Sequence, residues 1–240
     1  HLERAERTLC RLASLVLLCS AADGEALDEL AGHGTTQSKV VPNGVDVDYF
    51  AAGGETLHGG HLFFTGSMDW APNDNAVTTF LDEMWPEVSR RLPGTPFVVV
   101  GRNPSASLRR RHGRDGVQIT GTVPDVRPHM RGALGLMVPM RVGGGTRLKI
   151  LEAFAAGVPV ISTAVGIEGI EATPGEHYLR AETAADFAQA AARLTEEPGL
   201  AHGLTLAARV LARARYSWTA IGDDLAQAYA ERFGGLTSTL

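Results

Sequence analysis

Between residues 61 and 162 the chain alternates short, unbroken apolar runs with segments of helical spacing, and few folds accommodate that order. His61-Leu-Phe-Phe-Thr-Gly66, Phe97-Val-Val-Val-Gly101, Val117-Gln-Ile-Thr120, Leu134 to Pro139 and Val158-Pro-Val-Ile-Ser162 read as strands. A strand apolar on both faces belongs inside a sheet that is covered on both sides, as parallel sheets are. The intervening segments, Asn75–Arg91, Ser105–His112, Val126–Gly132 and Thr146–Ala156, read as helices. The pattern predicts an α/β fold, a parallel sheet with helices on both faces. A short strand at His177-Tyr-Leu and a helical tail over Thr183–Glu196, Gly199–Arg215 and Ser217–Phe233 follow. Ligands of such sheets bind beyond the carboxyl ends of the strands. The loops after Gly66, Gly101, Gly121 and Pro139 are therefore expected to share one crevice.

One of those loops carries the chemistry. Arg141-Val-Gly-Gly-Gly-Thr-Arg-Leu-Lys-Ile-Leu-Glu152 joins the strand ending at Pro139 to the next helix. Three successive glycines let the backbone approach a ligand closely. Thr146 reads as the helix N-cap, which leaves the first amides pointing into the space at the positive end of the helix dipole. Arg147 and Lys149 add two cations there, and a phosphate or diphosphate is the natural anion for such a trap. A flexible connector followed by solvated cations is the plain alternative. The cations weigh against it, because each opposes the dipole by roughly 0.3–1 kcal/mol. Leu148, Leu151, Phe154 and Ala155 form the expected core stripe of this helix, while Lys149, Glu152 and Ala153 fall on another face. Glu152 either pairs with Lys149 one turn away or accepts hydrogen bonds from vicinal hydroxyls such as those of a ribose. Spacing leaves both open.

Composition narrows the partners. A net charge of −5 forces no basic face, so nucleic acid is not expected. Arg109-Arg110-Arg111-His-Gly-Arg114 is the one cationic cluster; it reads as a solvated helix end, or as a contact to an anionic membrane surface. Two cysteines give no disulfide framework, and no apolar run is long enough to cross a bilayer, so a cytoplasmic location is expected. The eight histidines show no His-x-x-x-His spacing and no Cys-x-x-Cys occurs, so no metal is expected. The sequence lacks Gly-x-x-x-x-Gly-Lys-Ser/Thr and lacks Gly-x-Gly-x-x-Gly after a first strand, which argues against P-loop and dinucleotide folds.

Upstream, His1–Arg11 reads as a helix, Leu15–Ser20 as a strand and Asp23–His33 as a helix. The Asn43-Gly44 turn and the glycine-rich Ala51–Gly60 mark a boundary. Val41-Pro-Asn-Gly-Val-Asp46 with Phe50, Phe64-Thr-Gly-Ser67, Phe97-Val-Val-Val-Gly101, Ile119-Thr-Gly-Thr-Val123 and Leu151-Glu-Ala-Phe-Ala-Ala-Gly-Val-Pro-Val-Ile-Ser162 together resemble retaining GT-B glycosyltransferases of the family-4 type. The resemblance runs in order from Val40 to Phe233. It implies that residues 61–216 are a Rossmann-like nucleotide-sugar-binding domain. Residues 1–42 would end an N-terminal acceptor-side domain, 43–60 would link the two, and 217–240 would cross back as a helix.

The family implies transfer of a sugar from a nucleoside-diphosphate sugar to an acceptor hydroxyl with retention. A saccharide or lipid-linked acceptor, work on polysaccharide or glycolipid at the inner membrane face, and no cofactor go with it. A non-catalytic nucleotide-sugar-binding module and a GT-B-type sugar-nucleotide epimerase are the alternatives. Glu152 matches the second glutamate of the family's Glu-x7-Glu motif, which holds the donor ribose; the first falls on Gly144. The family's Arg and Lys after the first strand are replaced by Ser67 and Asn73, and Arg147 and Lys149 are expected to take over their diphosphate contact. The expected donor site is Gly66, Ser67, Arg141, Gly144, Gly145, Thr146, Arg147, Lys149 and Glu152, and no catalytic residue is named. Asp69 and Trp70 border the crevice, lining the site or packing its loop. Asn43 is read as a hinge turn residue.

Overall fold

The computed structural model describes residues 2–32, 37–52, 60–143, 145–197 and 199–234. The chain opens with α1 (Leu2–Leu12), β1 (Val16–Leu18), α2 (Ala21–Ala31) and β2 (Ser38–Val40). The short helix α3 (Val47–Ala51) leads into β3 (Leu62–Thr65) and α4 (Ala71–Thr79). A π-helical turn (Phe80–Met84) joins α4 to α5 (Trp85–Arg91), and β4 (Phe97–Val100), α6 (Ala106–Arg109), β5 (Val117–Gly121) and α7 (Arg127–Met130) come next. Then follow β6 (Gly135–Val138), α8 (Leu148–Ala156), β7 (Val160–Ser162), α9 (Ala164–Ile167) and β8 (Leu179–Arg180). The tail is α10 (Ala184–Glu196), α11 (Leu200–Arg215) and α12 (Trp218–Phe233).

Six strands form one sheet in the order β5-β4-β3-β6-β7-β8. Every pairing is parallel, and β3, β4, β6 and β7 are buried along their whole length. The double-sided α/β architecture expected from the apolar runs is the one found. Strand order reverses between β3 and β6. The two chain ends leaving β3 and β6 at this switch point diverge to opposite sides and open a crevice between them. At the same edge Gly66 lies so close to β4 that a Cβ on Gly101 would stand 1.8 Å from the Gly66 carbonyl oxygen. Only a glycine fits there.

Two elements fall outside the pattern read from the sequence. Residues 47–51, taken as linker, form α3, capped by Asp46 and packed on α8. Residues 53–59 of the expected 43–60 linker lie outside the described residues. The helix-like stretch before β4 begins at Ala71 and widens into the π-helical turn, whose Phe80 sits against Phe97 and Phe187 at ring distances of 4.9 and 5.7 Å. Bulky aromatics filling the space between α10 and the sheet accompany the extra residue in that turn.

Residues 16–18 and 38–40 make a separate two-stranded parallel sheet. It is tied to the larger unit where the Val45 amide donates to the Tyr216 carbonyl at 2.7 Å, forming a bridge beside Ser217. The chain entering the large sheet and the start of α12 thus cross at one point. Trp218 lies over that crossing, and a Cβ on Gly44 would meet its indole at 2.6 Å.

Candidate functional site

The crevice is built from three strand ends and one helix start. At the end of β3, Gly66 is followed by Ser67, Asp69 and Trp70, and α4 begins at once with Pro72 in its first turn. The loop after β6 runs beside it: a Cβ on Gly143 would stand 3.4 Å from Cβ of Pro72. Gly145, Thr146 and Arg147 bring the chain to α8. Gly144, the position matching the family's first glutamate, lies outside the described residues.

Lys149 is the cation the fold aims into this space. Its Nζ donates to Oδ1 of Asn73 at 2.8 Å and sits 3.8 Å from the centroid of the Phe64 ring. A Cβ on Gly66 would be 3.0 Å from the same ammonium. Burial, with the nearby Arg147 guanidinium adding to it, pulls the Lys149 pKa down to about 7, against a smaller attraction from Glu152. Of the two readings left open for Lys149 and Glu152, a surface ion pair does not form. Glu152 makes no hydrogen bond or ion pair among the described residues, and burial raises its pKa against the pull of Lys149. A half-buried carboxylate with no hydrogen bond among the described residues, one helical turn from the half-buried Lys149, is suited to accept hydroxyl donors.

Arg147 is buried, with 8% of its surface exposed. Its guanidinium donates to the carbonyls of Gly143 at 2.7 Å and Gly145 at 3.1 Å, folding the glycine loop around itself. Burial lowers its pKa, and the Glu168 carboxylate opposes that effect. The helix starts later than the sequence implied. Thr146 is not the N-cap: α8 begins at Leu148 with Arg147 in the cap position and no side-chain cap. The Thr146 hydroxyl reaches instead to the Cys19 carbonyl at 3.5 Å, a contact with the turn after β1 that local sequence cannot show. The expected core stripe changes too. Leu148 is 46% exposed, whereas Ile150, Leu151, Ala153, Phe154 and Ala155 are buried. The broader buried face follows from α3 and α11, both of which pack on α8. Gly157 ends the helix in the left-handed region at φ 72°.

Arg141 is turned away from this cluster to Glu83 of the π-helical turn at 2.5 Å, and that pairing lowers the Glu83 pKa. Ser67 has a fuller role than the sequence indicated. Its carbonyl accepts from Nδ2 of Asn73 at 2.9 Å. Its hydroxyl accepts from Nε of Arg102 at 2.6 Å and donates to the Asp69 carboxylate, which Asn103 also holds at 2.9 Å. Those hydrogen bonds from Ser67 and Asn103 lower the Asp69 pKa. Asp69 therefore organises the loop, while Trp70 is 57% exposed at its rim. Arg102 and Asn103 went unnoticed in the sequence, although Arg102 follows Gly101 at a strand end just as Ser67 follows Gly66.

The arginine cluster at 109–111 is less open than it reads: Arg109 donates to the Pro104 carbonyl at 2.6 Å, and Arg111 pairs with Asp82. No described helix is long and apolar enough to cross a membrane.

Known proteins share this architecture. A sucrose-phosphate synthase from Thermosynechococcus elongatus superposes over 96% of this chain and 61% of its own, with a TM-score of 0.75 and 21% identity. Anabaena Alr3699/HepE in complex with UDP superposes over 95% of this chain and 68% of its own, with a TM-score of 0.79 and 15% identity. A phosphatidyl-myo-inositol mannosyltransferase of Mycobacterium tuberculosis (strain ATCC 25618 / H37Rv) is 28% identical over 203 residues, 79% of this chain and 53% of that protein. The chain thus spans about half the length of the curated relative it matches. The model for glycosyl transferases group 1 matches residues 59–197, more than half of the chain, and so the chain belongs to that family.

Proposed function

We propose that this chain is the donor-binding part of a retaining glycosyltransferase of the family-4 type, moving a sugar from a nucleoside-diphosphate sugar to an acceptor hydroxyl. The observation that carries the reading is the Lys149 ammonium, held against Asn73 and Phe64 under Gly66, at the switch point of the sheet. Diphosphate oxygens entering there meet that ammonium, the start of α8 and a glycine loop shaped by Arg147. Glu152 takes the ribose hydroxyls. Negative charge grows on the diphosphate as the glycosidic bond breaks, and cations fixed before the reaction stabilise that change without reorganising.

A saccharide or lipid-linked acceptor, presented by a second domain facing the crevice, fits the greater length of the relatives. Synthesis of polysaccharide or glycolipid at the cytoplasmic membrane face belongs to the same reading, as does a donor site that uses protein cations in place of a metal. The name of the mycobacterial relative, a phosphatidyl-myo-inositol mannosyltransferase, and the UDP bound to the Anabaena protein support it. The donor residues assigned are Gly66, Ser67, Gly144, Gly145, Thr146, Arg147, Lys149 and Glu152, with Arg141 at the outer edge of the loop.

One observation favours a second reading, a binding module that does not transfer: Gly144 stands where the family has its first glutamate. Release of nucleoside diphosphate from the full-length protein separates the two. Transfer predicts release that rises when a saccharide or lipid-linked acceptor is added; a module binds the donor and releases none above background.

A further inference from the structure

A buried ammonium ordinarily sits beside a carboxylate, because an unpaired charge out of water is costly. Lys149 does not. Its neighbours are the side-chain oxygen of Asn73 from α4 and the face of Phe64 from β3, both neutral. The charged groups that act on it are Arg147 in the loop before α8 and Glu152 one turn along α8, which push in opposite directions. Asp69 and Arg102 lie beyond Ser67, engaged with that residue.

Asn73 is itself fixed. It is 8% exposed, its backbone amide donates to the Trp70 carbonyl at 2.9 Å, and its Nδ2 donates to the Ser67 carbonyl at 2.9 Å. That donation settles which side-chain atom faces Lys149: with Nδ2 on a carbonyl, Oδ1 is the atom turned to the ammonium. A Cβ on Gly66 would stand 2.7 Å from Nδ2, so the amide also packs against the backbone over which a phosphate would lie.

We propose that Asn73 is a positioning residue for donor binding, fixing the Lys149 ammonium at the end of β3 while, being neutral, leaving its charge to the phosphates of the ligand. This rests on the donor-binding reading. An aspartate in the same place would hold the ammonium equally well in space but would cancel its charge and repel the diphosphate. An alanine would leave the ammonium without its oxygen partner.

The test titrates the full chain with uridine, guanosine and adenosine diphosphates between pH 6.5 and 9.5, for the wild type, Asn73→Asp and Asn73→Ala, with melting curves in parallel. Both variants are expected to bind at least about tenfold more weakly at pH 8. The pH at which affinity falls away should move in opposite directions. It rises in Asn73→Asp, whose carboxylate keeps the proton on Lys149, and drops in Asn73→Ala, which loses an acceptor for that proton. Ionisation of the ligand is common to all three proteins and cancels in the comparison. A merely structural asparagine lowers melting temperature and affinity but leaves that midpoint in place. Should Asn73→Ala not fold, Asn73→Asp carries the test alone. A wild type that binds none of the three diphosphates removes the donor-binding reading and this inference together. A wild type that binds, with an unmoved midpoint in the folded variants, overturns the inference alone.

Discussion

Lys149 shows how a single side chain can be read for both binding and pH response. Its folded pKa of about 7 is depressed by burial, so between pH 7 and 9 the free protein loses a charge that a bound diphosphate would retain. Nucleoside diphosphate affinity is therefore expected to fall as pH rises from 7.5 to 9.5, by at most about tenfold per unit for one linked proton. Lys149→Met should flatten that profile, and calorimetric titration at several pH values reads it directly. Arg147→Ala acts differently. It removes the guanidinium that gathers the Gly143 and Gly145 carbonyls, so the loop loses its shape. Weaker diphosphate binding is expected, and the pH at which affinity falls should move up, because the guanidinium helps depress the Lys149 pKa; unchanged affinity in the titration would refute a part for Arg147. The proposed anion site was legible from Gly-Gly-Gly-Thr-Arg-Leu-Lys alone, because a bound anion would account for glycines and cations together at a helix start. The division of labour was not. Whether a cation folds back on its own loop or reaches another strand depends on Asn73 and Phe64, which are distant in sequence.

Among the elements, β3 and β4 meet most closely at their carboxyl ends, and Gly101 is the residue that allows it. A Cβ there would press into the backbone of Gly66, which cannot swing aside as a side chain can. Gly101→Ala is expected to cost about 3 kcal/mol or to prevent folding, measured by urea denaturation. A variant within about 0.5 kcal/mol of the wild type would contradict the close approach. Strands were the most legible elements, since an unbroken run such as Phe97–Val100 has no other home than a sheet interior. Helix ends were less so. Thr146 had the right chemistry for a cap, but its hydroxyl is drawn to Cys19 just after β1, and α8 starts two residues on. The short helix α3 was hidden because glycine-rich sequence follows it directly; its docking on α8 is a tertiary contact.

Across the whole molecule, the half-buried Lys149 links stability to pH. The unfolded pKa of a lysine is about 10.4 and the folded value here is about 7, so between these values the unfolded chain binds the extra proton. Unfolding free energy from this group therefore increases with pH in that window. Below pH 7 both states carry the charge and the full cost of burying it; above about 10.5 both are neutral and the cost is gone. Any stability gained by Lys149→Met at neutral pH should accordingly shrink as pH is raised to 10, in paired denaturant melts. A gain that stays constant would show that Lys149 titrates as an ordinary surface lysine. At this scale the sheet order sets a crevice at the switch point, and the family match over residues 59–197 covers the strands that border it. The central claim is that this crevice grips a nucleoside diphosphate through Lys149. Calorimetric titration at pH 7 of wild type and Lys149→Met with nucleoside diphosphates tests it most directly. The expected result is saturable binding by the wild type, weakened at least about tenfold in the variant; equal affinity in the two proteins would contradict it.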